Sequence, residues 1–585
     1  MADTVLARAY TSPTLVLIAM DWLGGSQRPD FLGFAIRRAP GYAKGEKDGY
    51  LTNKIGFSAL SKDAQPLPSN LAPFQKFMWW DSGISDADRG TTFEYTVVPV
   101  CGTGPNDLAL QHDVEATIEV KLPDAERDGI WTCFNRAVVS SQAFQREFPD
   151  PEADIDRCMA WLANGLQDSF PLILKGADAI TGAIYHLTDN EWVIPALKAF
   201  EGKLEIVYED QAKKDTTDRA AIALLESDRF KGFPRSKTHI MHDKFLVDLT
   251  GKRVLAGSAN FTPEGLTSQA NLLHVFDSSE LADLFIERAS LMQDDPTIAD
   301  TASDAGWSDA ISVGKARIRV FFSPEPKNHR VSIDTVIEAV KAARSSVVFC
   351  MFDPTDPDLI EALLATGDKG KLLYGLLNSI SDPDAKKKDT APDEPPVKPS
   401  ASTEIKIYLF NRSQHDRKAL AYNYFRPGKT PAGFLPELST VDFSSKSTLG
   451  TAKGNKGKRP PPAVHIHHKF IVIDAETDAP TIFTGSANLS TNSTNFNDEN
   501  LLEITGSPEL AQTYLAEFMR LYEHYRARAI WNMPPSTKAV SDKVGRQRQK
   551  AFTLKTKRDD WVKRAYEDGT PEAIARVNLA RPLGR

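Results

Sequence analysis

Two strings of the sequence carry residues able to do chemistry: "HIMHDKFLVD", from His239 to Asp248, and "HIHHKFIVID", from His465 to Asp474. Side chains alternate along an extended strand, so His467 and Lys469 share one face while His468 points to the other. His242 and Lys244 stand in the same relation. A Gly-Ser turn follows each string and brings an amide: "GSANFT" (Gly257–Thr262) presents Asn260, and "GSANLS" (Gly485–Ser490) presents Asn488. Paired about one cleft, the two copies offer two imidazoles, two ammoniums and two amides.

That set suits a phosphodiester. Lysines and amides can hold the non-bridging oxygens and stabilise the charge of a pentacoordinate transition state. Imidazole titrates near pH 6.5, so one histidine can be neutral and attack phosphorus while the other, protonated, gives its proton to the departing oxygen and then activates water. The lysines supply the positive charge, so neither a metal nor a cofactor is expected. His465 and His467 also match the i, i+2 spacing of a zinc pair. Lys469 follows on that face, however, and the first string places its extra histidine, His239, off parity with His242, which makes metal the weaker reading. His239, His465 and His468 are expected as rim or packing residues.

The elements that must position these residues form a repeat. "AIYHLTDNEWVIPALKAF" (Ala183–Phe200) corresponds to "FCMFDPTDPDLIEALLAT" (Phe349–Thr366), each a buried strand, a Thr-Asp turn suited to capping, and an apolar-periodic helix. Tyr185, His186, Phe352 and Asp353 end the aligned strands, where they either line the cleft or belong to the core. "ANLLHVFDSSELADLF" (Ala270–Phe285) matches "ENLLEITGSPELAQTY" (Glu499–Tyr514) further on. The second copy holds two insertions rich in Pro, Gly and charge, Asp382–Ser400 and Ser447–Ala463, expected as surface loops. Before the repeat, "TLVLIAMDWL", "FLGFAIRRA", "FQKFMWWD", "TTFEYTVVPV" and "VEATIEVKL" read as strands between Gly/Pro/Asn/Asp turns, as in a small β-sandwich of the immunoglobulin or fibronectin kind.

The pairs "HHKFIVID" with "GSANLS" and "HDKFLVD" with "GSANFT" resemble the paired HxK(x)4D…GSxN signatures of the phospholipase D superfamily, over roughly residues 130 to 525. The resemblance implies a bilobed α/β fold and metal-independent phosphodiester cleavage through phosphohistidine. Carried over, it makes His242 the nucleophile and His467 the general acid/base, with Lys244, Lys469, Asn260 and Asn488 around them and Ser258 and Ser486 as structural members of the motif. It also implies an acidic residue beyond the Asn, orienting the histidine of the opposite lobe. Glu499 in "NDENLL" fits that role, while the first lobe has Ala270 at the aligned position and Gln269 beside it, able to hydrogen-bond an imidazole. Asp474 stands five positions after Lys469, as in the signature, and is read as structural. Asp248 stands only four after Lys244, and strand parity would put it on the face of His242 unless a bulge intervenes.

The expected fold class is therefore α/β: two pseudo-symmetric phospholipase D-like lobes, each an αβα sandwich, preceded by an N-terminal β-sandwich. The expected domains are residues 1–125 (β-sandwich), 126–312 (first lobe), 313–530 (second lobe with loop insertions) and 531–585 (a basic C-terminal extension). Lys538 to Arg564 carries ten Lys/Arg against three Asp, which reads as a solvated helical tail before a phosphate- or membrane-binding strip. With 585 residues, 41% apolar and 25% charged, the chain reads as soluble, cytoplasmic or exported without a recognisable signal peptide. Four scattered cysteines make no CxxC pair and suggest no zinc or disulfide framework.

The leading expectation is a monomeric phosphodiesterase that cleaves phospholipid head groups, with the phospholipid or membrane surface as its partner. A formal charge of −8 argues against a dedicated nucleic-acid binder. A nuclease is the alternative, for which the basic strip and the "KGNKGKR" loop would track a phosphate backbone. A non-catalytic phosphate-binding module is the third reading.

Overall fold

The computed structural model describes residues 4–42, 45–58, 65–81, 83–84, 88–137, 144, 147–148, 154–210, 216–302, 305–352, 354–377, 466–531 and 553–581. His465, Asp353, both insertions of the second copy and residues 538–552 of the basic strip lie outside the described residues.

Two mixed sheets carry the two strings. The first runs Glu126–Arg127, Ile130–Phe134, Leu272–Asp277, Arg253–Gly257, Lys244–Asp248, Ala179–Ile184, Lys203–Glu209, Phe230–Arg235. The second runs Ile311–Val313, Ala316–Ser323, Asn497–Thr505, Thr481–Gly485, Lys469–Ile473, Ser346–Met351, Leu372–Leu377. The strands that open with Lys244 and Lys469 are central, antiparallel to both neighbours, and every one of their residues is buried. Burial on both faces explains why "FLV" and "FIVI" are unbroken apolar runs and not alternating ones.

Helices pack beside these sheets, and their starts follow from local capping. In the repeated Thr-Asp turn the aspartate does the capping. Asp189 accepts the amides of Trp192 and Val193 (2.7 and 2.8 Å) ahead of helix Val193–Ala199, and Asp356 accepts those of Asp358 and Leu359 ahead of helix Pro357–Asp368.

The sheets are joined backbone to backbone. Ile240–Met241, just before His242, pairs in parallel with Asn497–Asp498 of the second sheet. Ile466, just before His467, bridges Ala270 of the first. At the centre of this seam lies the carboxylate of Asp498. It accepts from Arg235 Nε (2.8 Å) and Arg288 Nη2 (2.9 Å), all three side chains being buried. A buried carboxylate needs such partners, because a lone charge there would cost several kcal/mol. The long helix Pro508–Trp531 leaves the second sheet and braces the first: Tyr514 Oη meets His274 Nε2 (2.7 Å), and Arg520 donates to the carbonyl of Arg136 (2.9 Å).

The N-terminal region holds two antiparallel sheets. One comprises Leu6–Ser12, Leu15–Asp21 and Met78–Asp81; the other is built on Phe31–Ala39, Thr92–Cys101 and Ala116–Lys121. They share a core that includes Val16, Ile18, Phe34, Trp79 and Val97. The same core takes in Val562 and Ala565 from the far end of the chain. Residues 553–564 of the basic strip are thus no solvated tail. Trp561 Nε1 donates to Phe31 O (3.2 Å), and its ring lies against Phe31 and Phe77. Helix Pro571–Ala580 follows, with Arg576 paired to the buried Asp21 and Tyr10 Oη donating to Leu579 O (2.7 Å). Among the described residues no helix is long and apolar enough to cross a membrane.

Arg576 is buried and also donates to the carbonyl of Ala565 (2.7 Å), so Arg576→Ala strands Asp21 without its cation. The substitution is expected to cost about 3–5 kcal/mol, measured as a fall in the urea midpoint. Removing the exposed Lys341–Glu338 pair with Lys341→Ala is expected to cost no more than about 0.5 kcal/mol.

Candidate functional site

His242 and His467 stand two residues ahead of their strands, where the chain crosses between the sheets. The amide of His242 donates to Asp498 O (2.8 Å) and that of His467 to Ala270 O (3.1 Å), so each histidine is clasped by the opposite sheet. The imidazoles are held in the same sense. His242 Nδ1 lies 3.2 Å from Glu499 Oε1, and His467 Nδ1 lies 2.9 Å from Asn271 Oδ1. In each ring it is Nδ1 that meets the opposite sheet; Nε2 of His467 lies 3.2 Å from Lys469 Nζ.

The lysines fold back on the histidines. Lys244 Nζ donates to the carbonyl of His242; Lys469 Nζ donates to that of His467 (2.7 Å) and lies 3.2 Å from both of its ring nitrogens. An aromatic ring flanks each pair. Tyr185 lies 4.8 Å from the His242 ring and 4.9 Å from Lys244 Nζ, and Phe352 lies 5.0 Å from the His467 ring and 5.1 Å from Lys469 Nζ. Tyr185 and Phe352 therefore line the site; His186 stacks on Tyr185.

Burial dominates the electrostatics. It pushes the Lys244 ammonium down to about 7, with Glu499 and Asp243 pulling the other way. Burial and then the charge of Lys244 hold Lys469 well below its ordinary range. Burial, followed by Lys244, pushes His242 down to about 4 against the opposing pull of Glu499, so the ring is neutral at neutral pH. Burial alone would raise Glu499, but His242, Ser493 and Asn497 together keep its carboxyl below the usual range, hence ionised. Asp243, pushed up to about 7 by burial, accepts from Asn500 Nδ2 of the other sheet (2.7 Å).

The Gly-Ser turns sit behind these groups. A Cβ on Gly257 or Gly485 would collide with the carbonyl of Leu272 or Asn500, which is why the turn begins with glycine. Ser258 Oγ donates to Asn271 Oδ1 (2.9 Å) and accepts from Leu272 N (3.2 Å); Ser486 Oγ accepts from Asn500 N (2.9 Å). Asn260 is buried and Asn488 half-buried. The Oδ1 atoms of both have no hydrogen-bond partner among the described residues, which leaves each amide with capacity for a ligand. The backbone N–H of Asn488 donates to Ser493 Oγ (2.9 Å) and Glu499 Oε2 (3.1 Å).

Three expectations change. The residue against His467 is Asn271, not Gln269, whose side-chain oxygen is buried with no hydrogen-bond partner among the described residues. The cause is register. Gly257 pairs with Leu273 and Gly485 with Leu501, so the structural offset in this strand is 228, and Glu499 corresponds to Asn271. Matching "ANLL" to "ENLL" slips that register by one; carrying the offset of the GSAN turns forward finds the right residue.

Asp248 does not share the site. It pairs with Ile180 at the strand end remote from Lys244, accepts the amides of Thr250 and Gly251 (both 2.9 Å) and binds Arg253 (2.7 Å). Asp474 does comparable work with a left-handed backbone (φ 54°), accepting the amides of Arg344, Ser345 and Ser346. The third change is that His242 and His467 precede their strands and are not part of them. Away from the site, His468 is buried against Phe134 and Phe470, while His239 is exposed and donates its amide to Phe496 O (3.0 Å).

Residues 437–522 match the family model described as "Cardiolipin synthase, PLD-like domain". Among curated proteins none matches the chain in sequence. Of the solved structures, phosphatidylserine synthase from Haemophilus influenzae Rd KW20 is similar at 11% identity, over 62% of this chain and 85% of that one, with a TM-score of 0.37. Polyphosphate kinase from Porphyromonas gingivalis is similar at 12% identity over 62% of this chain, TM-score 0.36; the matched part spans 48% of the kinase. Nuc from Salmonella typhimurium, a phospholipase D family member, is similar at 22% identity over 21% of this chain and 84% of that one, TM-score 0.20.

An anion reaching the two histidines would face two buried lysines. Lys244 loses its proton as pH rises through about 7, so sulfate is expected to raise the melting temperature more at pH 6 than at pH 9. Lys244→Met is expected to remove most of that difference in a thermal-shift titration.

Proposed function

We propose, from the premise that the chain carries a domain of the phospholipase D superfamily, that it is a phosphodiesterase working through a histidine pair, with phospholipid head groups as its substrate. We read the two mixed sheets as the two halves of one catalytic unit, pseudo-symmetric lobes, and the N-terminal sheets as a β-sandwich beside them. The single observation that carries this reading is the reciprocal grip. Each imidazole is held at Nδ1 by a residue of the opposite sheet and has a buried lysine folded against it.

The chemistry follows from that arrangement. Nε2 of the neutral His242 attacks phosphorus as the P–O bond to the leaving alcohol breaks, and the proton on Nε2 of His467 passes to that oxygen. The ring of His242 becomes cationic, and Glu499 behind its Nδ1 stabilises that charge. Water then attacks phosphorus while giving a proton to Nε2 of His467; the P–N bond breaks and His242 leaves neutral. Lys244, Lys469, Asn260 and Asn488 are assigned to the non-bridging oxygens, whose charge grows in each transition state. Tyr185 and Phe352 wall the site on its two sides. The acidic net charge of −8 favours a lipid over a polyanionic nucleic acid.

His242→Ala or His467→Ala is expected to lower turnover by roughly 10³-fold or more with the melting temperature retained. Parallel assays on phosphatidylcholine vesicles, single-stranded DNA and bis(p-nitrophenyl) phosphate test the substrate. Turnover of DNA but not of vesicles would replace the lipid reading with a nuclease, and no turnover of any of the three would remove the catalytic one. Chelation with EDTA is expected to leave the rate unchanged.

A further inference from the structure

Three consecutive residues of the first string reach the second sheet. Met241 pairs with Asp498, His242 N donates to Asp498 O, and Asp243 Oδ1 accepts from Asn500 Nδ2 (2.7 Å). Asp243 and Asn500 are fully buried, and each has one side-chain atom left over. Asp243 Oδ2 and Asn500 Oδ1 have no hydrogen-bond partner among the described residues. Both are acceptors while the carboxyl is ionised, so neither can serve the other. Two orphaned oxygens shut away from water are costly. A single proton relieves both. Bound at Asp243 Oδ2, it makes the carboxyl a donor toward the oxygen of the same amide whose nitrogen already holds Oδ1.

The charged groups acting on Asp243 are Arg288 from helix Ser279–Gln293, Asp498 from strand Asn497–Thr505 and Lys244 from its own strand. Arg288 pairs with Asp498 and donates to Ser323 O, and Lys244 is turned back onto the carbonyl of His242. Among the described residues no cation forms an ion pair with Asp243, and Asp498 opposes a second negative charge beside it. The corresponding junction of the other sheet manages without charge. His468 follows His467 as Asp243 follows His242, and it lies neutral against Phe134 and Phe470. By strand register the buried Leu272 takes the place of Asn500.

We propose that Asp243 is held as the neutral acid, its Oδ2–H donating to Asn500 Oδ1 while Asn500 Nδ2 donates to Oδ1, and that this two-bond acid–amide pair is a pH-dependent lock between the first string and the second sheet. Ionised, the carboxylate has no proton to give Asn500 Oδ1 and faces Asp498 across the seam. Aspartate in an unfolded chain titrates near about 3.9, whereas burial pushes Asp243 up to about 7. The folded protein therefore holds the proton more tightly. The stability it brings is full below the unfolded value, falls as pH rises toward about 7 and is lost above it. The lock belongs to the fold and stands whether or not the chain cleaves a phosphodiester.

The test compares the full chain with Asp243→Asn, whose amide can donate to Asn500 Oδ1 and accept from Nδ2, keeping both bonds without a titrating proton. At pH 5 the infrared difference between the two is expected to show the C=O band of one protonated carboxyl, present in the wild type and absent from the variant. The melting temperatures are expected to agree at pH 5, with the variant's the higher at pH 8. Hydrogen exchange over Ile240–Asp248, corrected for its intrinsic rate, is expected to quicken at least about tenfold in the wild type between those pH values and to stay level in Asp243→Asn. Asp243→Leu, which can make neither bond, is expected to melt below both at pH 5. Absence of the carboxyl band, or wild-type and Asp243→Asn profiles that run parallel from pH 5 to pH 8, overturns the proposal. Should the leucine variant fail to fold, the band and the asparagine profile still decide.

Discussion

The arrangement depends on one constraint: the backbone ahead of each histidine must hydrogen-bond to the other sheet. Ile240–Met241 lies along Asn497–Asp498, and Ile466 bridges Ala270, so neither imidazole is placed by its own sheet alone. Once the clasp is made, a carboxylate or amide one residue further along the clasping strand falls against Nδ1. Glu499 follows Asp498, whose carbonyl holds His242 N, and Asn271 follows Ala270, whose carbonyl holds His467 N. The buried Asp498, tied to Arg235 and Arg288, fixes the seam where the clasp occurs. Any slip along it would leave these charges unpaired in a low dielectric, a cost far above that of losing one ordinary hydrogen bond.

Much of this was legible because the relevant signals are local. The apolar runs after Lys244 and Lys469 announce central strands, the glycine of each GSAN turn announces a close backbone approach, and the recurrence of both ties them into one set. What stayed hidden depends on pairing between segments far apart in sequence. "ANLL" and "ENLL" are alike in letters yet offset by one in register, and a slip of one residue exchanges the faces of a strand. Asn271 was missed for that reason. The role of Asp498 was missed as well, since its partners Arg235 and Arg288 come from more than two hundred residues away. Asp248 misled by parity: counting faces from Lys244 takes no account of the hairpin that turns the chain at that point and uses the carboxylate to hold the turn.

Lysines held this deeply are costly to charge, and burial drives both of them toward the neutral form. An anion arriving between them reverses that balance, because its charge replaces the water each ammonium has lost. The site is thus preorganised in position while its charge is completed by what binds. Glu499 tempers the repulsion on both lysines, and the amide of Asn271 adds no charge behind His467.

The packing of Val562, Ala565 and Trp561 into the N-terminal sheets has a consequence for how the chain is made. Strands between Leu6 and Lys121 precede both mixed sheets in the chain, yet residues that finish their core follow both. The N-terminal core is therefore closed only by residues synthesised after both histidine-bearing sheets. A chain interrupted before residue 553 would lack Trp561, Val562 and Ala565 and leave that part of the apolar core uncovered.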